Sequence, residues 1–390
     1  MYVEHISDFS QFESLREEWN SFVDRCDESH ISHTHEWLVC WWKAFRENAQ
    51  LWILLFRKRG RLAGILPLML RRKQFRGFPV RVLSFPLNGH TPEGGLLFEK
   101  SQTEGLEHFL RYLHDGRNRW DILRLEKVYQ KCLCDTDFPL LLDKNNLRHV
   151  HVDTFQSPYV ETTADWDEYY ASRSKKFRKV MRNKLNRMNQ DGLLSMERLT
   201  GADITPEALE EIFDVSRRSW KAQLKRSIPD DVHVENFYRE ITAALAPLEK
   251  VDVWLMRRNG KVVAFEYHLK HKGIIYPIRA DFDDFYHVLS PGSLLEFLIM
   301  KRLFDDPLIR GCNSCGRTYD YLMHWATDII EHREILIFNS RSYSRQLFFL
   351  ESKIVPIAKK AKTWAFDREQ NNEKVTVQRD ARKIHSIHSR

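Results

Sequence analysis

The chain has 390 residues, 43% of them apolar and 12% aromatic, so it is long enough for two or three packed domains and too apolar for a disordered protein. Its net charge of +7 is concentrated, because eight Lys/Arg and no acid lie between Arg173 and Arg187, residues 359–390 carry +5, and the remainder carries −6. This distribution does not indicate a nucleic-acid footprint over the whole surface, and we do not expect nucleic acid as a partner.

The chain shows no membrane span and no secretory signal in its sequence. No run reaches 18 apolar residues, and the first residues lack the basic and apolar regions of a signal peptide. The six cysteines are sparse for this length and fit a reducing compartment, so we expect a cytoplasmic protein. Two pairs, Cys132 with Cys134 and Cys312 with Cys315, could supply four thiolates, but their flanks are typical of strand ends, and no metal site is predicted.

In the first half, apolar periodicity predicts helices over 12–26 and 36–48, then a hairpin over 51–70 that turns at Arg59-Gly60. A strand at 81–85, a helix at 106–113 and a strand at 122–125 follow. Residues 88–95, with three glycines and several polar groups, either line an acceptor site or form an ordinary surface loop.

A boundary is predicted at 156–167, before the basic helix. In this helix Phe177, Met181, Leu185 and Met188 recur at helical spacing, so one face is predicted to be buried. The cationic face from Arg173 to Arg187 is either a solvated outer face or a surface for phosphates or an anionic membrane.

The second half repeats the same order of elements. Helices are predicted over 206–221 and 234–245, a hairpin over 251–270 with a strong turn at Asn259-Gly260, a strand at 274–279, a helix at 292–304 and a strand at 309–314. A strand at 334–338 and a helix at 344–362 close this half, and the basic tail 365–390 is expected to be disordered. The repetition predicts two α/β modules, 1–155 and 193–364, joined by the linker and basic helix 156–192.

The stretch from Tyr286 to Leu295 has a distinctive helix start. Ser290 is a suitable N-cap and Pro291 suits the first helical position. The next backbone amides, of Gly292, Ser293 and Leu294, are then predicted to be free. Such a start at the end of a strand either binds a pyrophosphate or is simply a well-capped helix.

Four stretches together carry a family resemblance. They are Glu36-Trp37 with Trp41-Trp42 and 64–68, the basic run from 172 to 192, the segments 282–286 and 289–295, and Tyr321 with Trp325. In these stretches the chain resembles the acetyltransferase family named after the cellulose-biosynthesis protein CelD. The resemblance covers roughly residues 10–340. The resemblance implies an α/β fold of two tandem GNAT-like (acyl-CoA N-acyltransferase) modules, with mixed sheets flanked by helices.

The resemblance also implies a reaction and a set of site residues. The expected reaction is acyl transfer from acetyl-CoA or another acyl-CoA to an amine of an amino sugar or glycan intermediate, in exopolysaccharide or cell-surface polysaccharide biosynthesis. The expected CoA-binding residues are Tyr276, Arg279, Ser290, Gly292, Ser293 and Leu294. The candidate bases are Glu266, Asp281 and His324, and Tyr321 is the candidate acid for the departing thiolate.

One motif departs from the family pattern. Asn313 stands where the family usually has an acid and Leu322 where it has a lysine, although Arg317 could substitute for the latter. Two alternatives therefore stay open. One is a non-catalytic scaffold in polysaccharide assembly, and the other is a Fem-type transferase that uses aminoacyl-tRNA.

Overall fold

The computed structural model describes residues 1–99, 103–116, 119–129, 136–191, 193–315 and 319–357. The strands in chain order are β1 (Tyr2–Ile6), β2 (Gln50–Lys58), β3 (Arg61–Phe75), β4 (Phe78–Ser84), β5 (Leu97–Phe98), β6 (Ile122–Tyr129), β7 (Arg148–Glu161), β8 (Leu194–Thr200), β9 (Val251–Arg258), β10 (Lys261–His271), β11 (Ile274–Phe282), β12 (Gly311–Asn313) and β13 (Asp328–Phe338). The helices are α1 (Phe9–Glu13), α2 (Arg16–Arg25), α3 (His35–Phe45), α4 (Thr103–Asp115), α5 (Asp137–Lys144), α6 (Trp166–Ser172), α7 (Lys175–Asp191), α8 (Pro206–Arg218), α9 (Trp220–Gln223), α10 (Val232–Leu245), α11 (Pro291–Asp305), α12 (Asp320–Met323) and α13 (Ser342–Phe349).

Local sequence explains the main element boundaries. Thr205 accepts a hydrogen bond from the Ala208 amide and Pro206 opens α8, as expected for an N-cap followed by proline. Asn259 and Gly260 both have positive φ, 51° and 79°, which is the backbone that a tight hairpin turn between β9 and β10 requires. Arg59 and Gly60 make the corresponding turn between β2 and β3.

The strands of the described ranges form one mixed sheet in the order β1-β2-β3-β4-β6-β13-β7-β12-β11-β10-β9-β8, with β5 added to β3. The first module, β1 to β6, and the second module, β8 to β12, each contain a strand, helices, a three-strand meander, a helix and a parallel strand. This is the repetition that the sequence predicted.

Two long strands are exchanged between the modules. β7 follows the first module in the chain but pairs with β12 of the second through residues 159–161. β13 follows the second module but pairs with β6 of the first. β7 and β13 pair with each other along their length, so the two modules share a continuous sheet. The predicted boundary between residues 155 and 156 falls inside β7, and the division into domains remains a prediction.

The largest buried cluster lies between helices of both modules. In it Trp37 of α3 meets Phe237 of α10 edge-on, with ring centroids 5.2 Å apart. A second cluster packs α4 on the first module, and a third packs α6, α7 and α11 on the opposite face of the second module. The helices therefore cover both faces of the sheet in the second module.

Some predicted elements differ from the observed ones. The helix predicted over 12–26 is interrupted between α1 and α2, and α8 ends at Arg218 because the chain turns extended at Ser219. The predicted helix 344–362 begins as α13 and changes to a π-helical segment, Leu350–Ile354. The tail 365–390, together with Cys132, Cys134 and Arg317, lies outside the described residues.

Gly311 lies in β12, between the exchanged strand β7 and β11, where there is little room for a side chain. A Cβ atom at this position would lie 2.1 Å from the Tyr159 hydroxyl. We therefore expect Gly311→Ala to lower the free energy of unfolding by about 1–3 kcal/mol in urea titrations. Gly89→Ala is the matched control, because nothing lies within 4 Å of its Cβ position. Equal stability of the two variants would contradict the close approach of β7 to β12.

Candidate active site

The helix that the sequence predicted as an anion site, α11, begins directly after Ser290. Ser290 has a left-handed backbone (φ 53°, ψ 49°) and its side chain caps no amide, so the predicted N-cap interaction is wrong. The Leu294 amide donates to the Ser290 carbonyl at 3.1 Å, so its predicted availability is also wrong. Within the described chain the amides of Gly292 and Ser293 have no protein acceptor, and these two remain available to an anion.

β11 and β12 separate soon after they begin. They pair in parallel only at Ile274 with Gly311 and at Ile275 with Cys312. Beyond Ile275, β11 has no strand partner on this side among the described residues, although the Ala280 carbonyl accepts a hydrogen bond from Lys221 Nζ at 2.6 Å. The edge leads from the middle of the sheet towards the start of α11. The Tyr276 side chain does not follow this edge, because it is buried in the core between the modules.

Arg279 and Asp281 lie on the face of β11 that is covered by α8, and they bind each other. Asp281 accepts hydrogen bonds from Arg279 Nε at 2.7 Å and from the Ser216 hydroxyl at 2.8 Å, and its other oxygen lies 2.6 Å from Lys221 Nζ. Arg279 also donates to the Arg226 carbonyl at 2.9 Å. Both side chains are thus satisfied within the protein. The structure does not bring Asp281 to the other candidate catalytic groups or leave Arg279 free for a pyrophosphate.

The opposite face of the same sheet carries a buried carboxylate–imidazole pair. Glu266 and His268 are neighbours on one face of β10, and His268 Nε2 lies 2.8 Å from Glu266 Oε2. The β10–β11 register shifts between Tyr267 and His268, a bulge of the kind that re-aims side chains at functional sites. His268 Nδ1 is buried and has no partner among the described residues.

Glu296 of α11 completes this cluster. Burial raises the pKa of the Glu296 carboxyl well above its usual range, and the negative charge of Glu266 adds to this effect. A hydrogen bond with the Trp325 side chain and the charge of Lys184 oppose it. The cluster therefore combines a half-buried carboxyl group of raised pKa with a second carboxylate bound to an imidazole, which is a combination suited to proton transfer.

Tyr321 and His324, both near α12, border the cluster differently. Tyr321 is 54% exposed, so desolvation is partial, and together with the charges of Glu296 and Glu266 it raises the pKa of the phenol, which can donate a hydrogen bond. The His324 ring instead packs 5.3 Å from the Phe177 ring of α7. Leu322, between them, is half-buried and carries no group able to replace the family's lysine.

Asn313 has a specific partner in the first module. Its side-chain amide donates to Glu93 Oε1 at 2.5 Å, and its side-chain oxygen accepts from the Cys315 amide at 3.0 Å. Burial raises the pKa of Glu93 to about 7, while the bond from Asn313 and the charge of Lys127 lower it. Residues 91–95 are buried, so this segment is not an ordinary surface loop.

The basic helix α7 has the two faces that its sequence predicted. Phe177 and Met181 are buried in the third core cluster, with Leu185 and Met188 packed against it. The solvent side carries exposed cations without a carboxylate partner in the part of the chain that the structure describes. These are Lys175, Lys176, Lys179 and Arg182. Arg187 donates to the Val288 carbonyl at 2.8 Å and so fixes the end of α7 beside the start of α11.

No helix within the described ranges is both long and apolar enough to cross a membrane. In the same ranges no group of three or more His, Cys, Asp or Glu side chains is arranged to hold a metal ion.

The structure thus brings together Glu266 and Tyr321 of the predicted catalytic residues, beside the predicted Gly292 and Ser293 amides. It leaves Asp281 on the other face and His324 at the border. Sequence reasoning missed His268 and Glu296. Both had a signal, because His268 lies two residues from Glu266 on the same strand face, and Glu296 is an acid within an apolar helical run.

Comparison with known families and structures gives the fold. A family model described as an acetyltransferase (GNAT) domain matches residues 175–322. Among solved structures, FemX has 11% identity and a TM-score of 0.59, covering 87% of this chain and 98% of its own. L-PGS from Bacillus licheniformis has 11% identity and a TM-score of 0.51, covering 88% and 97%. No curated protein matches the chain significantly.

A third similar structure is the C-terminal domain of a protein described as a lysylphosphatidylglycerol synthetase from Agrobacterium fabrum. It has 13% identity and a TM-score of 0.52, covering 87% of this chain and 96% of its own. The predicted fold class, two tandem GNAT-like modules with mixed sheet and flanking helices, is confirmed, and the match to the GNAT acetyltransferase model covers β8 to β12 of the second module.

The neutral state of Glu296 has a consequence for stability. Because its pKa is raised in the folded protein, its contribution to stability is complete below its unfolded pKa of 4.5 and is lost as pH rises through the folded pKa. We expect Glu296→Gln to gain stability relative to the wild type when the pH is raised from about 5 to about 8, by at most about 1.4 kcal/mol for each pH unit below the folded pKa. Urea unfolding at both pH values measures this. Glu107→Gln, at an exposed position, should show no such trend, and a parallel trend in both variants would refute the buried neutral state.

Proposed function

We propose that the protein is an acyl-CoA-dependent N-acyltransferase that acts on an amino sugar or glycan intermediate, in the cytoplasm, during exopolysaccharide or cell-surface polysaccharide biosynthesis. The observation that carries the proposal is the cluster of Glu266, His268, Glu296 and Tyr321 beside the unpaired edge of β11, within the matched acetyltransferase domain. The CelD-type resemblance of the sequence supports the acceptor class.

The residues present fit an acyl-CoA. The edge of β11 beyond Ile275, which lacks a strand partner, suits the amide-bearing pantetheine arm, and the Gly292 and Ser293 amides suit the pyrophosphate at the positive end of α11. A Cβ atom added at Gly292 would lie 3.3 Å from the Phe282 ring, so α11 and β11 lie close together here.

The cluster supplies the proton transfers of the proposed reaction. The amine nitrogen attacks the thioester carbonyl carbon, so that a C–N bond forms and the C–S bond breaks. Glu266, bound to His268, accepts the proton that the nitrogen loses, and Tyr321 donates to the sulfur that leaves. Glu296 stays neutral and adds no second negative charge against the thiolate.

The first test measures CoA binding by calorimetry. We expect acetyl-CoA to bind, and Ser293→Asp to weaken it by about five- to thirtyfold, since a charge in the first helical turn is worth roughly 1–2 kcal/mol. Ser342→Asp, in the first turn of the distant α13, is the control and should leave affinity unchanged. An acid in the first turn is ordinarily favourable to a helix, so Ser293→Asp is expected to keep α11 folded.

Turnover provides the second readout on the same site. Glu266→Gln should lower kcat by about 10²–10⁴-fold with little change in acetyl-CoA affinity. Absence of heat with acetyl-CoA, together with salt-sensitive binding of tRNA, would favour the Fem-type alternative. The fold of this chain is similar to that of FemX. Absence of both would leave the non-catalytic scaffold.

We also propose that α7 contacts an anionic membrane surface. Its apolar face is occupied by the protein core, so only its cations are available, and Phe285 and Val288 beside it are 82% and 64% exposed. A Lys or Arg near an anionic bilayer contributes about 1 kcal/mol. This arrangement would bring a lipid-linked acceptor to the start of α11.

Vesicle cosedimentation tests this contact. Replacing Lys175, Lys176 and Lys179 together by Gln should weaken binding to phosphatidylglycerol vesicles on the order of 100-fold, and added salt should weaken the wild type. Gln at Arg111, Lys261 and Lys301, which are exposed elsewhere, is the charge-matched control and should have a small effect. Equal losses in both triple variants would mean that net charge, not α7, governs binding.

A further inference from the structure

A basic cleft lies at one end of the first module, beside the start of β2 and the hairpin of β3 and β4. It has a volume of about 660 Å³, within the range of roughly 300–1,000 Å³ that is usual for small-molecule sites. Its wall includes the buried Trp52, the half-buried Leu70 and the exposed Asn48 and Gln50. The cleft is therefore large enough for an organic ligand.

Unequal strand lengths open this cleft. β2 begins at Gln50, which pairs with Leu70 of β3, whereas β3 continues to Phe75. Beyond Leu70, the β2 side of β3 has no strand partner among the described residues. In the sheet β6, β13, β7 and β12 lie between β4 and β11, so the cleft is separate from the candidate active site.

Positive charge predominates in the cleft, because five of its lining residues are cations and one, Glu47, is an acid. The cations are Arg71, Arg72, Lys73, Arg81 and Arg119. Within the described chain, Arg81 is the one lining cation with a carboxylate partner, since Asp121 accepts from its Nε at 3.0 Å and its Nη2 at 2.8 Å. Asp121 also lies 3.9 Å from Arg341, so one carboxylate compensates two guanidinium groups.

Two of these cations repel each other. Arg72 and Arg81 are directly opposite in the antiparallel register of β3 and β4. Like charges at opposite positions of such a pair are destabilising. An anion bound beside both guanidinium groups would remove this repulsion, and the pair therefore points to an anionic ligand.

Two other cations are held against the wall of the cleft. Arg71 donates through Nη2 to the Phe45 carbonyl at 2.7 Å, and its Nε is buried without an acceptor in the part of the chain that the structure describes. The Arg119 guanidinium lies over the Trp52 ring, 4.2 Å from the centroid. A side chain that is already ordered loses less conformational entropy on binding, so these contacts favour recognition of an anion.

We propose that this cleft binds the diphosphate group of an organic ligand. Guanidinium groups match phosphate oxygens with two parallel hydrogen bonds. Arg72, Lys73 and Arg119, whose side chains have no acceptor among the described residues, suit a group with more than one negative charge. The rest of the cleft, beside the side-chain amides of Asn48 and Gln50, accommodates the organic part. This site is additional to the proposed transferase chemistry and independent of it.

Calorimetry with inorganic pyrophosphate tests the site. The parent protein is Ser293→Asp, so that the start of α11 does not contribute. We expect salt-sensitive binding that Arg72→Gln and Arg119→Gln together weaken at least about tenfold, because each removes a charge-assisted hydrogen bond. Arg111→Gln with Lys261→Gln, exposed elsewhere, is the charge-matched control and should bind as the parent does. Equal losses in the two pairs, or no binding of pyrophosphate, would overturn the proposal.

Unfolding in urea gives a second readout, which separates a ligand site from a structural role. Without ligand, Arg72→Gln should have an equal or higher urea midpoint, because it removes the repulsion from Arg81. Pyrophosphate should raise the midpoint of the parent and leave that of the double variant at Arg72 and Arg119 unchanged. A lower midpoint in ligand-free Arg72→Gln would show that the arginine serves the fold, which contradicts the proposal.

Two further ligands identify the source of the diphosphate. Tighter binding of ADP than of pyrophosphate would indicate a soluble nucleotide. Cosedimentation with phosphatidylcholine vesicles that contain a long-chain prenyl diphosphate would indicate a lipid headgroup, and the triple Gln variant of α7 is used here so that α7 does not contribute. If neither ligand binds more tightly than pyrophosphate, the cleft binds inorganic anions only and the organic ligand is ruled out.

Discussion

The antiparallel pairing of β7 with β13, which joins residues 148–159 to 328–338 with one register shift, is the constraint on which the rest of the arrangement depends. Each of these strands comes from one module and completes the sheet of the other. Because they pair, β12 is held beside the first module, and Asn313 comes within hydrogen-bond distance of Glu93. Without this pairing the two modules would have separate sheets, and the buried polar groups between them would face water.

The two faces of the second module use charge in different ways. On the α8 face, Asp281 is surrounded by Arg279, Lys221 and Ser216, so its charge is compensated and its role is structural. On the α11 face, Glu266 and Glu296 lie close together with few cations, and one of the two is held neutral. Compensated carboxylates stabilise a fold, whereas uncompensated ones that share an environment are available for proton transfer.

Glu93 also gives a physical account of the substitution at position 313. An acid at this position would place two buried carboxyl groups against each other, which would disfavour ionisation of both. The amide of Asn313 instead donates to Glu93 and satisfies it. The departure from the family pattern therefore matches a carboxylate supplied by the first module, and it does not by itself indicate loss of activity.

Much of the fold could be predicted from local sequence, because helix periodicity, the Thr205 cap and the Asn259-Gly260 turn act over a few residues. The strand exchange could not be predicted. β7 is largely exposed, its side chains alternate only weakly between buried and exposed, and its partner β13 lies more than 150 residues away. The site was predictable in part. Periodicity places Asp281 in a strand but does not show that its face of the sheet carries compensating cations such as Lys221. The burial of residues 91–95 depends on contacts with β12, which is distant in sequence.

The exchanged strands impose an order on how the protein is made. The sheet of the first module lacks its neighbour for β6 until residues 328–338 have left the ribosome, so this module cannot close during synthesis of its own half. Pairings of such long sequence separation form slowly, and until then β6 and β7 expose unpaired edges. Chaperone dependence during translation, and aggregation of truncated chains, are the expected biological signature of this topology.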